Sequence, residues 1–336
     1  GVVNVIPRKP RHGAIRHEVR AGIGNRGQRS LDFDSSGSIS ERLAYRLDAS
    51  AERGDGWVDR GKHSSQGLTG ALQWQFLPRW QLQLSHAEGR HKPMRYFGVP
   101  LIDGKPLEAL RRTNYNVQDA RITFRDHWSE LTLQGSPSDN IAVRSRLYHI
   151  RSNRLWFDAE NYTWDAARQQ IRLAGDTAIR HHQKQTGNTT DVTFDSKLLG
   201  IDNTISAGFD LNHSSLQHDN NTYSGNPRYV SLLSPETGFF DSDVPFIPRY
   251  RNTADQYALF VEDRLAVTGQ LSLVAGLRHD RARIRRDDLI TGNRVFSRTW
   301  NSTGHRLGAV YALTPTLSVY AQHSRAADPS TAPLMM

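Results

Sequence analysis

Cysteine is absent from the 336 residues of this chain, and long apolar runs are absent as well. Without cysteine the chain can form no disulfide bridge, no thiolate metal site and no thiol nucleophile. A membrane-spanning helix needs about 18–20 consecutive apolar residues, and no segment approaches that length. These two absences exclude a disulfide-stabilised scaffold, a cysteine enzyme and a helical membrane protein.

Sequence motifs of enzymes and of nucleic-acid-binding proteins are also missing. The sequence contains no phosphate-binding loop, nucleophile elbow or metallohydrolase spacing, so no enzymatic activity is expected. The formal net charge is +9, but the arginines are scattered along the chain rather than clustered on one helix. A nucleic-acid partner is therefore not expected.

What the sequence does contain is an alternation of apolar and polar residues with a period of two. Leu43, Tyr45 and Leu47 alternate with Arg46 and Asp48. A period of two places the two sets on opposite faces of a β-strand. The apolar face then needs either a protein core or a lipid bilayer to cover it. The same alternation recurs in the segments 80–85, 204–211 and 271–278.

The connections between these segments favour the bilayer, because short turns and long loops alternate along the chain. Outer-membrane barrels have short turns on the periplasmic side and long loops outside, whereas a soluble sandwich does not sort its loops in this way. The mean hydropathy of −0.62 agrees, because only half of each strand faces lipid. The expected long loops are 54–64, 91–116, 153–180, 218–252 and 287–301.

The spacing of the turns predicts about thirteen strands. Single-chain bacterial barrels contain an even number of strands, so an odd number means either that the count is wrong by one or that the chain stops before the barrel is complete. The second interpretation is favoured. Several strands exceed the ~9–11 residues that cross lipid and are expected to project beyond it. The strands are expected near 14–24, 28–39, 43–53, 65–76, 79–90, 117–135, 140–153, 181–199, 203–217, 253–266, 270–286, 301–313 and 316–325.

Two segments carry a family resemblance. Tyr250–Asp263 reads YRNTADQYALFVED, and Leu273–Asp280 reads LVAGLRHD. Together with five further segments in the same order, they resemble the TonB-dependent siderophore receptors of the ferric-hydroxamate and pyoverdine type. The further segments are 1–10, 114–117, 155–164, 320–324 and 327–329.

The resemblance implies a fold and a location. It implies an all-β protein, a transmembrane antiparallel β-barrel of the outer-membrane receptor type, incomplete here with about 13 of the 22 strands of a plugged barrel. Residues 1–12 correspond to the end of the plug domain and its link to the barrel, and residues 13–336 to the N-terminal part of the barrel. The family lies in outer-membrane lipid and couples to the TonB–ExbB–ExbD complex through an N-terminal region that this sequence lacks.

The resemblance also implies where a ligand binds, because siderophore sites in this family are aromatic pockets at the outer mouth. Aromatic rings pack on the organic ligand, and arginine pairs with its anionic groups. Folding of the loops themselves is the alternative role for these rings, and an interfacial girdle is the alternative expected for Trp74 and Trp80. The candidates in the third and fourth outer loops are Tyr96, Phe97, Tyr115, Trp156, Tyr162 and Trp164.

No resident metal or cofactor is expected, because the transported iron arrives inside its chelator. His181 and His182 are neighbours in a strand, so they point to opposite faces and do not chelate one ion together. Charged residues that alternate with apolar ones are expected to face the wet lumen. These are Glu18, Asp32, Asp48, Glu52, Arg121, Arg125, Arg144, Arg146, Glu262 and Arg264.

The expected function of the parent protein is uptake of a ferric siderophore across the outer membrane, energised through TonB. The chain alone is expected to be inactive in transport. Two other functions stay open: a passive porin-like channel and a soluble β-sandwich binding module. Haem, cobalamin and a chelate of another metal are alternative cargoes.

Overall fold

The structure, a computed structural model, describes residues 7–222 and 225–326. Most of these residues lie in one 14-stranded antiparallel sheet, and a single 3-10 turn spans Glu108–Leu110. Over the described ranges, no helix is long and apolar enough to cross a membrane. The resembling residues 1–6 and 327–329 lie outside the described part of the chain.

Each strand pairs with the next one along the chain, apart from the short strand β10, which pairs with β8 while β9 pairs with β11. Within the described residues β1 and β14 are the two edges, so the sheet is not closed. The strands are β1 Arg16–Ile23, β2 Arg29–Ser40, β3 Leu43–Gly54, β4 His63–Leu77, β5 Trp80–Lys92, β6 Arg121–Ser138, β7 Ile141–Asp165, β8 Gln170–Leu198, β9 Ile201–Asn220, β10 Arg228–Val230, β11 Ile247–Leu265, β12 Leu271–Asp288, β13 Arg294–Thr314 and β14 Leu317–Arg325.

The all-β antiparallel fold expected from the alternation is confirmed, and the single sheet rules out the two packed sheets of a β-sandwich. Every predicted strand is present, and only β10 was not foreseen. Two expected loops are wrong. In the first, residues 153–180 are the continuation of β7 and β8, joined by a tight turn at 166–169. Loop residues pack against this hairpin, so apolar side chains such as Trp156 and Phe157 occur on both faces and hide the period of two.

The expected loop 287–301 is also mostly strand. β12 runs to Asp288 and β13 begins at Arg294, and the two are paired over nearly their whole length. The tight turn between them is closed by Asp288, whose side-chain oxygen accepts hydrogen bonds from the backbone N–H groups of Ile290 and Thr291. The four consecutive charged residues that end β12, from Arg285 to Asp288, concealed the pattern here.

The register assigns every strand residue to one of two faces. Leu72, Leu84, Leu131 and Leu147 lie opposite one another on β4 to β7 and share one face. We call this face the band face, because its apolar residues form a band next to the short turns. The band continues across the later strands with Leu211, Leu259, Leu277 and Leu307.

The opposite face, which we call the polar face, carries charged residues. On β2 and β3 the buried Arg46 bridges Asp34 and Asp48. Residues 8–13 run along β2 on this side, where Arg8 forms an ion pair with Asp34 and the Gly13 N–H donates to Ser38 Oγ. The residues preceding the sheet therefore approach it from the polar face.

The expectation that the alternating charges face the polar side holds for most of the set but is wrong for Arg121 and Arg125. Arg125 lies opposite Asn153, and Arg121 lies opposite Phe157. Both arginines are thus on the band face, near the long-loop ends of β6 and β7. The reason is that the strands continue past the apolar band, and beyond it the band face carries charged as well as apolar residues.

Candidate ligand-binding surface

A row of aromatic and imidazole rings crosses the polar face, with one ring from each of β5, β6, β7, β8, β9 and β11. Neighbouring ring centroids lie 6.1, 5.2, 5.3, 4.9 and 4.6 Å apart. On β5, β6, β9 and β11 the ring sits at the long-loop end of its strand. In order, the row is His91, Phe124, Trp156, His181, His218 and Tyr250.

Arginines flank the row near both ends. The guanidinium carbon of Arg154 lies 5.2 Å from the centroid of the Phe124 ring, and that of Arg286 lies 4.4 Å from the centroid of Tyr250. Cations over ring faces are held by the ring quadrupole. The row therefore combines flat apolar surfaces with positive charge, which suits an organic ligand that carries anionic groups.

The two histidines of the row form a hydrogen-bonded pair. Nε2 of His181 and Nδ1 of His218 lie 2.8 Å apart, and the Asn220 side-chain amide donates to Nε2 of His218. Nδ1 of His218 must then carry the proton and donate it to His181. Burial lowers the pKa of His218 to about 4, helped by the neighbouring His181, and burial also lowers the pKa of His181. Both rings are therefore neutral at pH 7.

The adjacent His182 has no part in this row, in agreement with the expected alternation. Its Nδ1 lies 2.6 Å from Oδ1 of Asn153, and both residues belong to the band face.

Of the aromatic residues singled out in the sequence, Trp156 is the one that lies in the row. Tyr115 is fully buried, and its hydroxyl donates to the carbonyl of Leu232. Tyr162 and Trp164 pack against the same small core, which includes Ile171 and Leu173. These three rings hold the outer loops against the polar face of the β7–β8 hairpin.

The remaining two candidates lie in the loop between β5 and β6. Tyr96 packs edge-on against Trp57, with ring centroids 5.1 Å apart. Phe97 is half exposed, with 50% of its surface accessible. Phe97 is thus the most accessible ring of the six, but the structure places it in no contact with the row.

One arginine joins three of the loops. The guanidinium of Arg60 donates to the backbone carbonyls of Asn114 and Asn116 and to Oγ1 of Thr237. Asn116 in turn caps the hairpin, because its side-chain oxygen accepts the N–H of Ala159. The loops at this end of the sheet therefore form one connected body with β7.

Acidic residues are buried beside this body. Asp176 is held by two hydrogen bonds from Arg228, of 2.8 and 3.0 Å. Asp158 is fully buried, and neither of its carboxylate oxygens has a hydrogen-bond partner among the described residues. Burial raises the pKa of Asp158 to about 7, and the nearby Glu160 and Asp176 add to the effect. Asp158 thus titrates near neutral pH.

Sequence reasoning missed most of the row. Phe124, His218 and Tyr250 fall at strand ends, where the choice between strand and loop was least certain. A signal was present in the sequence: on β5, β6, β9 and β11 a ring lies within about three residues of the end of the strand that meets a long loop. That signal becomes visible only when the register of the strands is known, because residues far apart in sequence must be aligned across the sheet.

Comparison with known proteins places this sheet among receptor barrels. A family profile described as "TonB dependent receptor-like, beta-barrel" matches residues 92–336. A metal-pseudopaline receptor, CntO, from Pseudomonas aeruginosa is 23% identical over 98% of this chain and 48% of its own length. A ferrioxamine receptor from Yersinia enterocolitica is 21% identical, covering 99% of this chain and 48% of that protein. The chain thus spans about half the length of the curated relatives it matches.

Solved structures agree on the fold. The siderophore receptor PiuA from Acinetobacter baumannii superposes with a TM-score of 0.83 at 14% identity, over 94% of this chain and 50% of that one. The open form of the ferric-catecholate import receptor Fiu from Escherichia coli gives a TM-score of 0.79 at 16% identity, over 94% of this chain and 55% of that one. These likenesses establish the barrel fold.

Proposed function

The chain belongs to the TonB-dependent receptor-like β-barrel family, whose members lie in the outer membrane of Gram-negative bacteria, and we propose that it is the barrel portion of a receptor that takes up a ferric siderophore. The relatives carry receptor names, for metal-pseudopaline and for ferrioxamine, and no enzymatic step is part of the proposal. The partners proposed are the metal chelate on the outside and the TonB–ExbB–ExbD complex on the inside.

The observation that carries the proposal is the row of rings on the polar face. In a barrel whose band face meets lipid, the polar face is the lumen wall, and the long-loop end is the outer mouth. The row from His91 to Tyr250 therefore lines the mouth. A metal chelate with a flat aromatic or amide framework would pack on these rings and place its anionic groups against Arg154 and Arg286.

The proposed role of this chain is capture of the chelate rather than its movement. The rings are fixed by their neighbours in the sheet, so little side-chain entropy is lost when a ligand packs on them. The loops tied by Arg60 would cover the bound chelate. Energy for release into the periplasm would come from TonB acting on a plug domain, with residues 7–13 lying where such a domain would join the barrel.

Substitution of the central ring tests the proposal in the full-length receptor. Trp156→Ala removes a ring that contacts both Phe124 and His181, so binding of the iron-loaded chelate should weaken about tenfold, or about 1.4 kcal/mol. Trp74→Ala is the matched control, because Trp74 is half exposed on the band face next to a short turn. Binding is followed by quenching of tryptophan fluorescence and uptake by radioactive iron in cells.

Equal loss of binding in both variants would count against a ligand surface at the row. Uptake that persists in cells lacking TonB would contradict the proposal that TonB energises uptake. Ion conductance through the purified receptor without any chelate would favour a passive channel instead. Uptake of a chelate of another metal at the same rate as the iron chelate would widen the proposed cargo from ferric siderophores to metal chelates in general.

A further inference from the structure

Three side chains of the kinds that bind metal ions converge on the band face, on the opposite side of the sheet from the row of rings. His86 and Glu88 lie on β5, and His127 lies on β6. One ligand atom from each residue lies within 4.8 Å of the other two. Within the described residues, no other three histidine or carboxylate side chains come this close together. We call these three residues the imidazole–carboxylate cluster.

The register of the strands explains why the three side chains meet. His86 and Glu88 are two residues apart on β5, so both point to the same face of the sheet. Glu88 lies directly opposite His127 on β6. Leu84 precedes His86 by two residues, and no β-bulge intervenes between them. The imidazole–carboxylate cluster therefore lies directly above the apolar band, on the outward side of the wall.

The distances within the cluster match those of a tetrahedral metal site. Oε1 of Glu88 lies 3.3 Å from Nε2 of His86 and 3.3 Å from Nδ1 of His127. Zinc binds imidazole nitrogen and carboxylate oxygen at about 2.0–2.2 Å, and two such ligands at the tetrahedral angle are separated by about 3.3–3.6 Å. One ion would therefore reach Glu88 and both rings after a small rotation of the side chains.

A neighbouring hydroxyl supports one of the two rings from behind. Nδ1 of His86 lies 2.8 Å from Oγ of Ser129, which is directly opposite His86 on β6. Histidine ligands of metal ions usually donate their second ring N–H to such a partner, which fixes the tautomer and the orientation of the ring. A serine hydroxyl both donates and accepts. Ser129 therefore holds the ring of His86 while Nε2 keeps its lone pair for an ion.

The surroundings decide which kind of ion fits. Arg151 lies opposite His127, and Arg90 and Arg125 are the next pair along on the same face. Positive charge close to the cluster weakens the attraction for any cation, so the affinity must come from the coordination bonds themselves. Calcium takes six to eight oxygen ligands, which two imidazoles and one carboxylate do not supply. Imidazole ligands suit zinc, nickel and copper.

We propose that the imidazole–carboxylate cluster binds one divalent transition-metal ion of the zinc type, with His86, Glu88 and His127 as its ligands. Three protein ligands leave the fourth position of a tetrahedral ion to water. The bound ion links β5 to β6 through their side chains, and it stabilises the folded protein because the unfolded chain does not hold the three ligands together. This proposal departs from the sequence-based expectation of no resident metal, and it does not depend on which chelate is transported.

The test uses the full-length receptor, produced without a histidine tag, purified in detergent and stripped of metal with a chelator. His86→Gln, Glu88→Gln and His127→Gln each remove one ligand. His213→Gln is the matched control, because His213 also contacts a carboxylate, that of Asp255, but no third ligand joins them among the described residues. Folding of each variant is checked by the shift in electrophoretic mobility between unheated and heated samples.

Zinc binding is measured by isothermal titration calorimetry. The unsubstituted protein and the control should bind one zinc ion at the cluster, and each of the three cluster variants should lose about tenfold or more in affinity, or about 1.4 kcal/mol. Heat unfolding is followed in parallel, and zinc should raise the midpoint of the unsubstituted protein and the control but not that of the cluster variants.

Cobalt gives a second measurement, because a tetrahedral cobalt site absorbs visible light much more strongly than cobalt in water. This absorption should appear in the unsubstituted protein and be absent from His86→Gln. Equal zinc affinity in the unsubstituted protein and all three cluster variants would overturn the proposal, as would the absence of zinc binding. Calcium that binds as tightly as zinc, and is lost with Glu88→Gln, would overturn the assignment to a transition metal.

Discussion

Nε2 of His181 and Nδ1 of His218 lie 2.8 Å apart, and this contact joins two halves of the ring row across β8 and β9. Trp156 lies on one side of the pair and Tyr250 on the other, the latter stacked on His218 with an interplanar angle of 10°. The pair holds because one imidazole donates and the other accepts. Protonation of His181 at Nε2 would place two donors against each other within the pair. Protonation of His218 at Nε2 would place a second donor against the side-chain amide of Asn220.

The stability of the protein should therefore depend on pH through His218. Its pKa is about 4 in the folded protein and 6.5 in a free histidine. Between these two values the unfolded chain binds a proton that the folded chain does not, so stability falls as the pH drops from about 6.5 toward 4. Urea unfolding of the receptor at pH 7 and at pH 4.5 measures the difference.

The variant His218→Phe keeps a ring in the row and removes the titrating group, so its stability should change less over this range. His17→Phe, at an exposed position of β1, is the control and should keep the full pH dependence. A pH dependence that His218→Phe leaves intact would show that other groups are responsible.

Asp158 should give the stability of the protein the opposite dependence on pH. Its pKa is about 7 in the folded protein against 3.8 for a free side chain. Between these values the folded chain binds a proton that the unfolded chain lacks, so the stabilising effect is complete below pH 3.8 and is lost as the pH rises through 7. The full effect is on the order of a few kcal/mol.

Asp158→Asn should accordingly make the β7–β8 hairpin more stable than the unsubstituted protein at pH 9, with a smaller difference at pH 5. Hydrogen exchange of the hairpin amides, corrected for the intrinsic pH dependence of exchange, measures this local stability. Asp165→Asn is the control in the same strand, because Asp165 is at the turn and already accepts hydrogen bonds from Arg168. Equal exchange in Asp158→Asn and the unsubstituted protein at pH 9 would contradict the prediction.

A charged side chain placed in the apolar band should lower the free energy of unfolding of the barrel. Leu84 is 51% exposed on the band face, opposite Leu72 and Leu131. Leu84→Arg should destabilise the barrel in a bilayer by about 2–4 kcal/mol if the position lies near the midplane. Ser85→Arg, one residue along and therefore on the polar face, should cost much less. Unfolding in lipid vesicles compares the two, and similar costs would argue against lipid contact at Leu84.

Substitution of Arg60 should make the outer loops that it connects more mobile at the same time. Its guanidinium holds the carbonyls of Asn114 and Asn116 and the hydroxyl of Thr237. Arg60→Gln should therefore speed hydrogen exchange several-fold in both connected loops at once, around 113–117 and around 237. Arg111→Gln, which removes an exposed arginine paired only with Glu108, is the control. Faster exchange in one loop alone would show that the loops are not coupled through Arg60.

The strands of the sheet could be predicted from the sequence, because the alternation of apolar and polar residues is a local signal. Alternation at Leu43, Tyr45 and Leu47 needs no knowledge of other strands, and the short turns separate one strand from the next. The part of the β7–β8 hairpin within residues 153–180 was expected to be a loop, because both of its faces are partly apolar. Trp156 belongs to the ring row on one face, and Phe157 packs against Phe240 on the other. Period-two alternation vanishes when both faces are covered.

The candidate site was less predictable, because it depends on register. Tyr115, Tyr162 and Trp164 are conspicuous in the sequence as loop aromatics, yet they form the small core that fixes the loops. Trp156 is also an aromatic residue of an expected outer loop, and it differs from these three only in the residues that lie beside it across the sheet. His218 and Tyr250 belong to the row because each lies opposite the other on paired strands, which no property of either residue reveals.

The hairpin of β7 and β8 has a mechanical consequence for the mouth of the barrel. Its two strands pair from Ile141 and Phe194, near the short turns, to Asp165 and Gln170 at its tip, with Glu160 and Gly175 as the only break in the pairing. Because the pairing is otherwise continuous, the hairpin is a stiff extension of the sheet. In the proposed capture of a chelate, closure over the ligand would come from the loops that fold against this hairpin, and the hairpin itself would keep its position.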